Sequence, residues 1–414
     1  MLGLNLPKIE AFTALPILTP VDVANAEAPG AWPRPKFPKD HLGFFTDLKK
    51  RVANYFATTK ISDRDSWRMY LKSGVIMTWL AVSYCLLVFG ATSLWLAIPA
   101  AISLALAMAT VGMSIQHDGG HGGYSKYNWV NKLSALALDL IGASSYVWQR
   151  KHGVFHHTYV NIEGQDTDID IHPVGRFSPH QKRYWFHRFQ QFYLWVLYGL
   201  LGPRWHLVSD YQNVIQGKIG KHRIARPKGW DLVLFIGGKI VSTGLLLVVP
   251  MMFHDWWVVL CFYAGVTWIL GIVLSVVFQL AHCVEEAEFP ATVGEPAMVE
   301  ASWAVHQVQT TVDFARNNPF WTWILGGLNF QVVHHLFPRI THIHYPALSK
   351  IVEETCNDYG LKYNTHTTFT AGVISHYRWL KRMGQPPAEK VRRSKLRKRA
   401  KRRLRNFRLA ARRG

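Results

Sequence analysis

The chain has 414 residues, 49% of them hydrophobic, and carries 47 Lys and Arg against 26 Asp and Glu, a formal net charge of +21. That length allows two soluble domains or one larger membrane unit. The four cysteines, Cys85, Cys261, Cys283 and Cys356, have no paired spacing, which excludes a disulfide framework or a zinc ribbon and leaves the class to be read from where apolar and basic residues fall.

Residues 1–40 contain Pro7, Pro16, Pro20, Pro29, Pro33, Pro35 and Pro38 and no serine, which predicts a disordered leader. "ANA" at 24–26 has the form of a signal-peptidase site, but the segment before it is broken by proline and contains Asp22, so no secretory signal is expected. Residues 73–116 contain no Asp, Glu, Lys, Arg or His. The run is about twice the roughly 20 residues needed to cross a bilayer as helix, so it predicts two spans, about 73–89 and 91–116, turning near Gly90. Residues 130–148 are apolar but include Lys132 and Asp139, and are expected to lie on the bilayer or dip into it. A second pair of spans, about 232–253 and 256–281, turns at His254 and Asp255. Lys239 interrupts it, and is expected to snorkel to the interface along its aliphatic stem. From 378 to 414 there are 17 Lys and Arg against Glu389 alone, so this stretch supplies +16 of the net charge. After a membrane domain, the tail 385–414 is expected to contact anionic lipid, and no nucleic acid partner is expected.

The basic residues set the orientation. Lys49, Lys50, Arg51, Lys60, Arg64, Arg68 and Lys72 precede the first span, others lie between the hairpins, and the hairpin turns have none. By the positive-inside rule both termini and the 117–230 segment face the cytoplasm, or the stroma in a plastid. His117 and His121 then emerge on the same side as His152, His156 and His157, as His282 after the fourth span, and as His334 and His335. His117 and His121 are four residues apart, as are His152 and His156. Each pair is therefore expected to grip one ion from one helix face, with His157 about 100° further round.

Eight imidazoles exceed the three protein ligands of a catalytic zinc and point to two ions. Ligand type alone admits zinc, iron, copper or nickel. A redox metal such as iron is favoured, because breaking an unactivated C–H bond in a lipid chain requires activated oxygen. No HExxH or GxSxG motif occurs. Asp118, Asn161, Asp166, Asp168, Asp170 and Glu285 are candidates to hold the outer nitrogens of the imidazoles, the alternative for the acidic run being a solvated loop.

The motifs "HDGGHGGYS", "KHGVFHHTYVNIEGQDTDIDIH", "RFQQFYLW", "AHCVEEAEF" and "NNPFWTWILGGLNFQVVHHLFPRITHIHYPAL" resemble those of membrane fatty acid desaturases, in particular the cyanobacterial acyl-lipid 6-desaturase branch related to front-end desaturases. The resemblance runs from about 41 to 384. It implies an all-α integral membrane fold, with four transmembrane helices in two hairpins under a cytosolic helical cap, and a kinked tunnel for the acyl chain. It also implies a diiron centre of two Fe2+ ions that uses O2 to introduce a cis double bond. His117, His121, His152, His156, His157, His282, His334 and His335 match the family's ligands. Gln331 stands where that branch has glutamine at the start of its third box, three residues before His334, and is expected to be a weak ligand or an orienting group. No HPGG haem loop, GxGxxG fingerprint or ferredoxin cysteine run is present. The resemblance therefore implies a separate electron donor, ferredoxin ahead of cytochrome b5, and an acyl-lipid or acyl-CoA substrate. Three rival readings stay open: a diiron lipid or alkane hydroxylase, a zinc-dependent membrane hydrolase, and a membrane anchor without catalysis.

Overall fold

The computed structural model describes residues 34–294 and 297–386; most of the expected leader, and the tail from 387 onward, lie outside the described residues. Among the described residues four helices are long and apolar enough to cross a membrane: Trp67–Gly90, Leu94–His121, Trp230–Met251 and Trp256–His282. The apolar window of the second is 56% buried against 17% in the first and third, so the second span is the central post of the bundle. Its small residues Ala100, Ala101 and Ala105 face neighbours, and close helix approach of this kind is how packing holds spans together in lipid. Large side chains on the outer faces, Leu71, Val82, Trp95, Ile102, Val233 and Ile240 among them, are exposed to what is a hydrocarbon solvent. The protein is an integral membrane protein.

Two spans depart from the expected limits in an informative way. The first begins at Trp67, so it takes in Lys72, which the sequence reading placed outside. Lys72 is buried and its Nζ lies 2.8 Å from His342 Nε2, so the charge has an internal partner and does not end the helix. The second continues past 116 to His121, carrying its two histidines on the membrane helix itself. Lys239 corrects an expectation: it does not snorkel. Its ammonium donates to Gly142 O, Trp205 O and Asp210 Oδ2 at 2.9, 3.1 and 2.7 Å inside the protein, tying the third span to the cap.

The cap is built from short helices. Asn128–Ala135 and Ala137–Leu140 follow the second span and do not cross the membrane; Leu133 and Trp129 on the first of them are exposed. Helix Phe44–Thr59 buries Phe44, Leu48 and Val52, spaced by four on one face, and packs them in a cluster with Val305, Val308, Leu336 and Leu348. Among the described residues the sheets are two pairs of two-residue strands, Lys218–Ile219 antiparallel to His222–Arg223 and Asp313–Phe314 parallel to Thr365–His366. Residues 34–40, assigned to the leader from their prolines, are bonded into the fold. Lys36 N donates to Ala297 O at 3.0 Å, Val299 N donates to Lys36 O at 2.9 Å, and Phe37 lies against Tyr159 and His306.

Candidate metal centre

Local chain geometry brings the three histidine segments together. The second span passes through a π-helical stretch, Val111–Gln116, before its terminal turn His117–His121. The second segment is also π-helical, over Lys151–His156. Such turns recur at functional sites because they re-aim side chains within a helix. The two glycines of "HDGGH" allow close approach: a Cβ on Gly120 would lie 2.3 Å from the Trp148 ring. That ring in turn packs 5.6, 5.1 and 4.7 Å, centroid to centroid, from His117, His121 and His152. Before the third segment, Gly326 takes a φ of +61°, and a Cβ there would lie 2.2 Å from Met113 O. Only glycine permits this turn, and in helix Gln331–Leu336 that follows it the His334 ring comes 4.4 Å, centroid to centroid, from His117 of the second span.

All eight expected histidines are buried and converge. His117, His121, His152 and His334 form one group, His156, His282 and His335 a second, and His157 joins His334 and His335 in a third, each with its ligand atoms within 4.8 Å of one another. His152 and His156, the expected pair, form a further group with Asp168. In the π turn the fifth residue also comes back to the face of the first: His157 Nε2 lies 3.3 Å from His152 Nε2, and His152 Nε2 lies 3.3 Å from His117 Nε2. His157 Nε2 is 3.0 Å from His334 Nε2.

These distances test the fit of a metal. Two nitrogens about 2.1 Å from one centre and at right angles to each other are about 3.0 Å apart. Nε2 of His121, His156, His282 and His335 are buried without a hydrogen-bond partner, and orphaned buried acceptors require an explanation. Burial, reinforced by neighbouring imidazoles, holds His152, His157, His334 and His335 well below the usual histidine range. The rings are therefore neutral, the form that binds a metal. A metal fits the residues present.

The outer nitrogens are held by a second set of groups. His156 Nδ1 lies 3.1 Å from Asp166 Oδ2, which also accepts from Asn161 N at 2.9 Å. Burial alone would lower His156, but Asp166 outweighs it and raises its pKa. Asp168 Oδ2 lies 3.7 Å from Nδ1 of both His152 and His156, while its Oδ1 pairs with Lys151 at 2.7 Å. His334 Nδ1 is 3.2 Å from the Tyr345 hydroxyl, His335 Nδ1 is 2.9 Å from Gln307 Oε1, and His282 Nδ1 is 3.4 Å from Thr310 O. Asn161 fastens the chain at His282: its Nδ2 donates to His282 O at 2.9 Å and Glu288 O at 3.0 Å.

Four expected neighbours sit differently. Among the described residues Asp118 bonds none of the eight histidines; its Oδ2 accepts from Thr341 Oγ1, His342 N and His342 Nδ1 at 2.8, 3.1 and 2.9 Å, with Lys72 on the far side of His342. Gln331 is buried, and its Nε2 donates to Leu328 O at 2.9 Å, closing the turn ahead of the third segment. Asp170 is exposed and accepts from His172 N. Glu285 is exposed too, while the adjacent Glu286 bonds Ser375. Conversely, Gln307, Tyr345, Trp148 and Phe278 were not read from the sequence. Phe278 packs 4.9 Å from His156 and 5.1 Å from His282, centroid to centroid. Gln307 follows His306 in "WAVHQVQTT", and it is Gln307 whose side chain meets the cluster.

A four-span membrane domain capped by a buried histidine cluster of this size has the architecture of an integral membrane oxidoreductase. The sequence model of the fatty acid desaturase family matches residues 93–367. The chain is 39% identical to the sn-1 linoleoyl-lipid 6-desaturase of Arthrospira platensis over 84% of this chain and 95% of that protein. It is 37% identical to the protein of the same name from a Synechocystis strain, over 83% and 96%. It is 36% identical to the acyl-lipid (8-3)-desaturase of Physcomitrium patens, over 82% and 72%. The chain belongs to the fatty acid desaturase family and is an oxidoreductase.

Proposed function

We propose that this desaturase introduces a cis double bond at the 6-position of a lipid-linked acyl chain, between an existing double bond and the carboxyl end. The similarity to two sn-1 linoleoyl-lipid 6-desaturases over nearly their whole length supports that substrate and position. The reaction removes two hydrogens from adjacent carbons and, with O2, two electrons and two protons, releases two waters.

The observation that carries the reading is the histidine cluster, with unpartnered or mutually facing Nε2 atoms inside and Asp166, Tyr345 and Gln307 holding Nδ1 atoms outside. We assign His117, His121, His152, His156, His157, His282, His334 and His335 as ligands of two irons. Iron supplies the oxygen-activating redox chemistry that no side chain here can provide. The chain's own contribution is positional. Asp166 holds the outer nitrogen of His156, with the Asp168 carboxylate 3.7 Å from those of His156 and His152, and an anionic partner of this kind raises ligand basicity. Gln307 and Tyr345 fix the rings of His335 and His334. Trp148 and Phe278 wall the cluster with apolar surface and keep water from it, which strengthens electrostatic interactions within. Gln331 acts through the backbone turn it closes.

The basic residues before the first span and between the hairpins support a cytoplasmic or stromal position for the site and both ends of the membrane domain. Electrons come from a separate carrier, with ferredoxin proposed ahead of cytochrome b5. The test is expression in a host supplied with linoleate, followed by gas chromatography and mass spectrometry of its lipids. A new 6-position double bond is expected. Hydroxylated chains without one would overturn the reading, as would zinc-loaded protein that is fully active without O2.

A further inference from the structure

A cavity of about 340 Å3 opens between the two hairpins, at the end of the bundle remote from the histidines. Val88, Ala97, Leu104, Leu246, Val259 and Phe262 form much of its wall, and Thr92, Ser93 and His254 lie around it at the hairpin turns. Two bonds across the hairpins frame it: Tyr84 OH donates to Leu245 O at 2.8 Å, and His254 Nε2 donates to Val88 O at 2.7 Å. Trp95, Trp256 and Trp257 are largely exposed at the same level. Tryptophan at the ends of spans marks the height of lipid headgroups.

The cavity is separate from the metal centre. Its inner wall reaches Leu104, thirteen residues before His117 on the same span, a rise of about 20 Å. Between them Met108, Val111, Met113, Leu138 and Leu270 are at most 3% exposed and pack as one layer. The volume is that of a ligand site. A cavity lined this way does not favour water, which needs several polar partners. In the hydrocarbon region the remaining solvent is acyl chain.

We propose that this cavity holds one acyl chain of a bilayer lipid, drawn from the leaflet that contains the hairpin turns, as a resident wedge between the hairpins and not as substrate. The chain would lie along Ala97 to Leu104. The ester end would stay at the tryptophan level, where the hydroxyls of Thr92 and Ser93 make no hydrogen bond to the protein among the described residues and are available to ester oxygens. The proposal does not depend on which lipid the enzyme desaturates.

The experiment uses the full chain in bilayer nanodiscs of phosphatidylglycerol carrying a diazirine near the end of one acyl chain, with photolabelled peptides mapped by mass spectrometry. Labelling at Leu104 and Val266 is expected, reduced about tenfold, equivalent to about 1.4 kcal/mol, in Ala97→Phe, which fills the cavity. Desaturation by that variant, measured separately on the supplied linoleoyl lipid, is expected to keep its rate. Val259→Phe serves where Ala97→Phe does not fold. Label confined to outward residues such as Ile240 and Val248 would overturn the proposal in favour of surrounding lipid only. Label at Leu104 that the linoleoyl lipid displaces, together with a shortened chain preference in Ala97→Phe, would overturn it in favour of the substrate's tail. Absence of desaturation with intact labelling at Leu104 would count against the proposed reaction and leave the lipid site standing.

Discussion

Replacing Gln307 with leucine separates metal retention from fold stability. Gln307 Oε1 accepts from His335 Nδ1 at 2.9 Å, whereas Gln307 Nε2 is buried with no partner. Leucine leaves the His335 N–H without an acceptor, a loss of about 1–3 kcal/mol. The same substitution removes the unsatisfied amide N–H, which relieves a penalty of about the same size. The two nearly cancel, so the metal-free protein should unfold within about 1 kcal/mol of wild type. Metal retention has no such compensation. His335 loses the group that fixes its tautomer and ring plane, and outer-shell changes of this kind lower metal affinity or activity by about 10- to 100-fold. The assay is iron content by mass spectrometry after dialysis against graded chelator, with thermal unfolding of the metal-free protein as control, because bound metal itself raises apparent stability. Gln307→Glu, which keeps an acceptor, should retain iron far better than the leucine variant. Equal iron retention by Gln307→Leu and wild type would refute the reasoning, and so would a loss accompanied by matching destabilisation of the metal-free protein.

Gly120→Ala places a methyl group 2.3 Å from the Trp148 ring; overpacking of this sort costs about 1–3 kcal/mol, and iron content and thermal stability are expected to fall together, whereas Gly237→Ala, with nothing within 4 Å of the new Cβ, should leave both unchanged. Lys239→Met strands Asp210 without its cation, and breaking a buried pair from one side costs about 3–5 kcal/mol; Lys239→Met combined with Asp210→Leu should recover part of that in a thermal unfolding measurement. Burial alone would push Glu286 up, but His366 and Ser375 outweigh it and hold the carboxylate at about 2 instead of 4.5. A depressed carboxylate stabilises the fold above its unfolded pKa and loses that contribution as pH falls toward the folded one, so Glu286→Gln should flatten the acid limb of stability between pH 4.5 and 2, as read by fluorescence-detected unfolding.

The spans could be read from sequence because lipid imposes a local rule, an apolar run of sufficient length, and residues 73–116 obey it without exception. The histidines could be read because a metal demands several of one residue type within a few positions. What escaped has no local pattern. Gln307 meets His335 across 28 positions and Tyr345 meets His334 from a different helix, and neither contact leaves a trace in the spacing of either segment. Lys239 was misread because a lone cation in a span has two physical solutions, reaching water or finding a buried carboxylate, and only the fold supplies Asp210. The contact of His157 with His152 escaped because a regular helix turns His157 about 100° past His156, whereas the longer repeat of the π turn brings it back as well. Glu285 was named as an orienting group, but the chain has left the helix there; Glu285 is exposed, and its neighbour Glu286 bonds Ser375 instead of the cluster.

The second and fourth spans end in histidines of the cluster, whereas the other histidines ride on the cap. The site is therefore partly suspended from the bilayer, with no flexible joint between the membrane helix and His117 or His121. A helix longer than the local hydrocarbon thickness tilts, and tilt at either span displaces its terminal imidazoles against those fixed in the cap. Bilayer thickness becomes an input to the geometry of the cluster, and turnover in lipids of graded chain length should pass through an optimum. Because unsaturation thins a membrane, the enzyme's own product acts on the ruler by which its site is set.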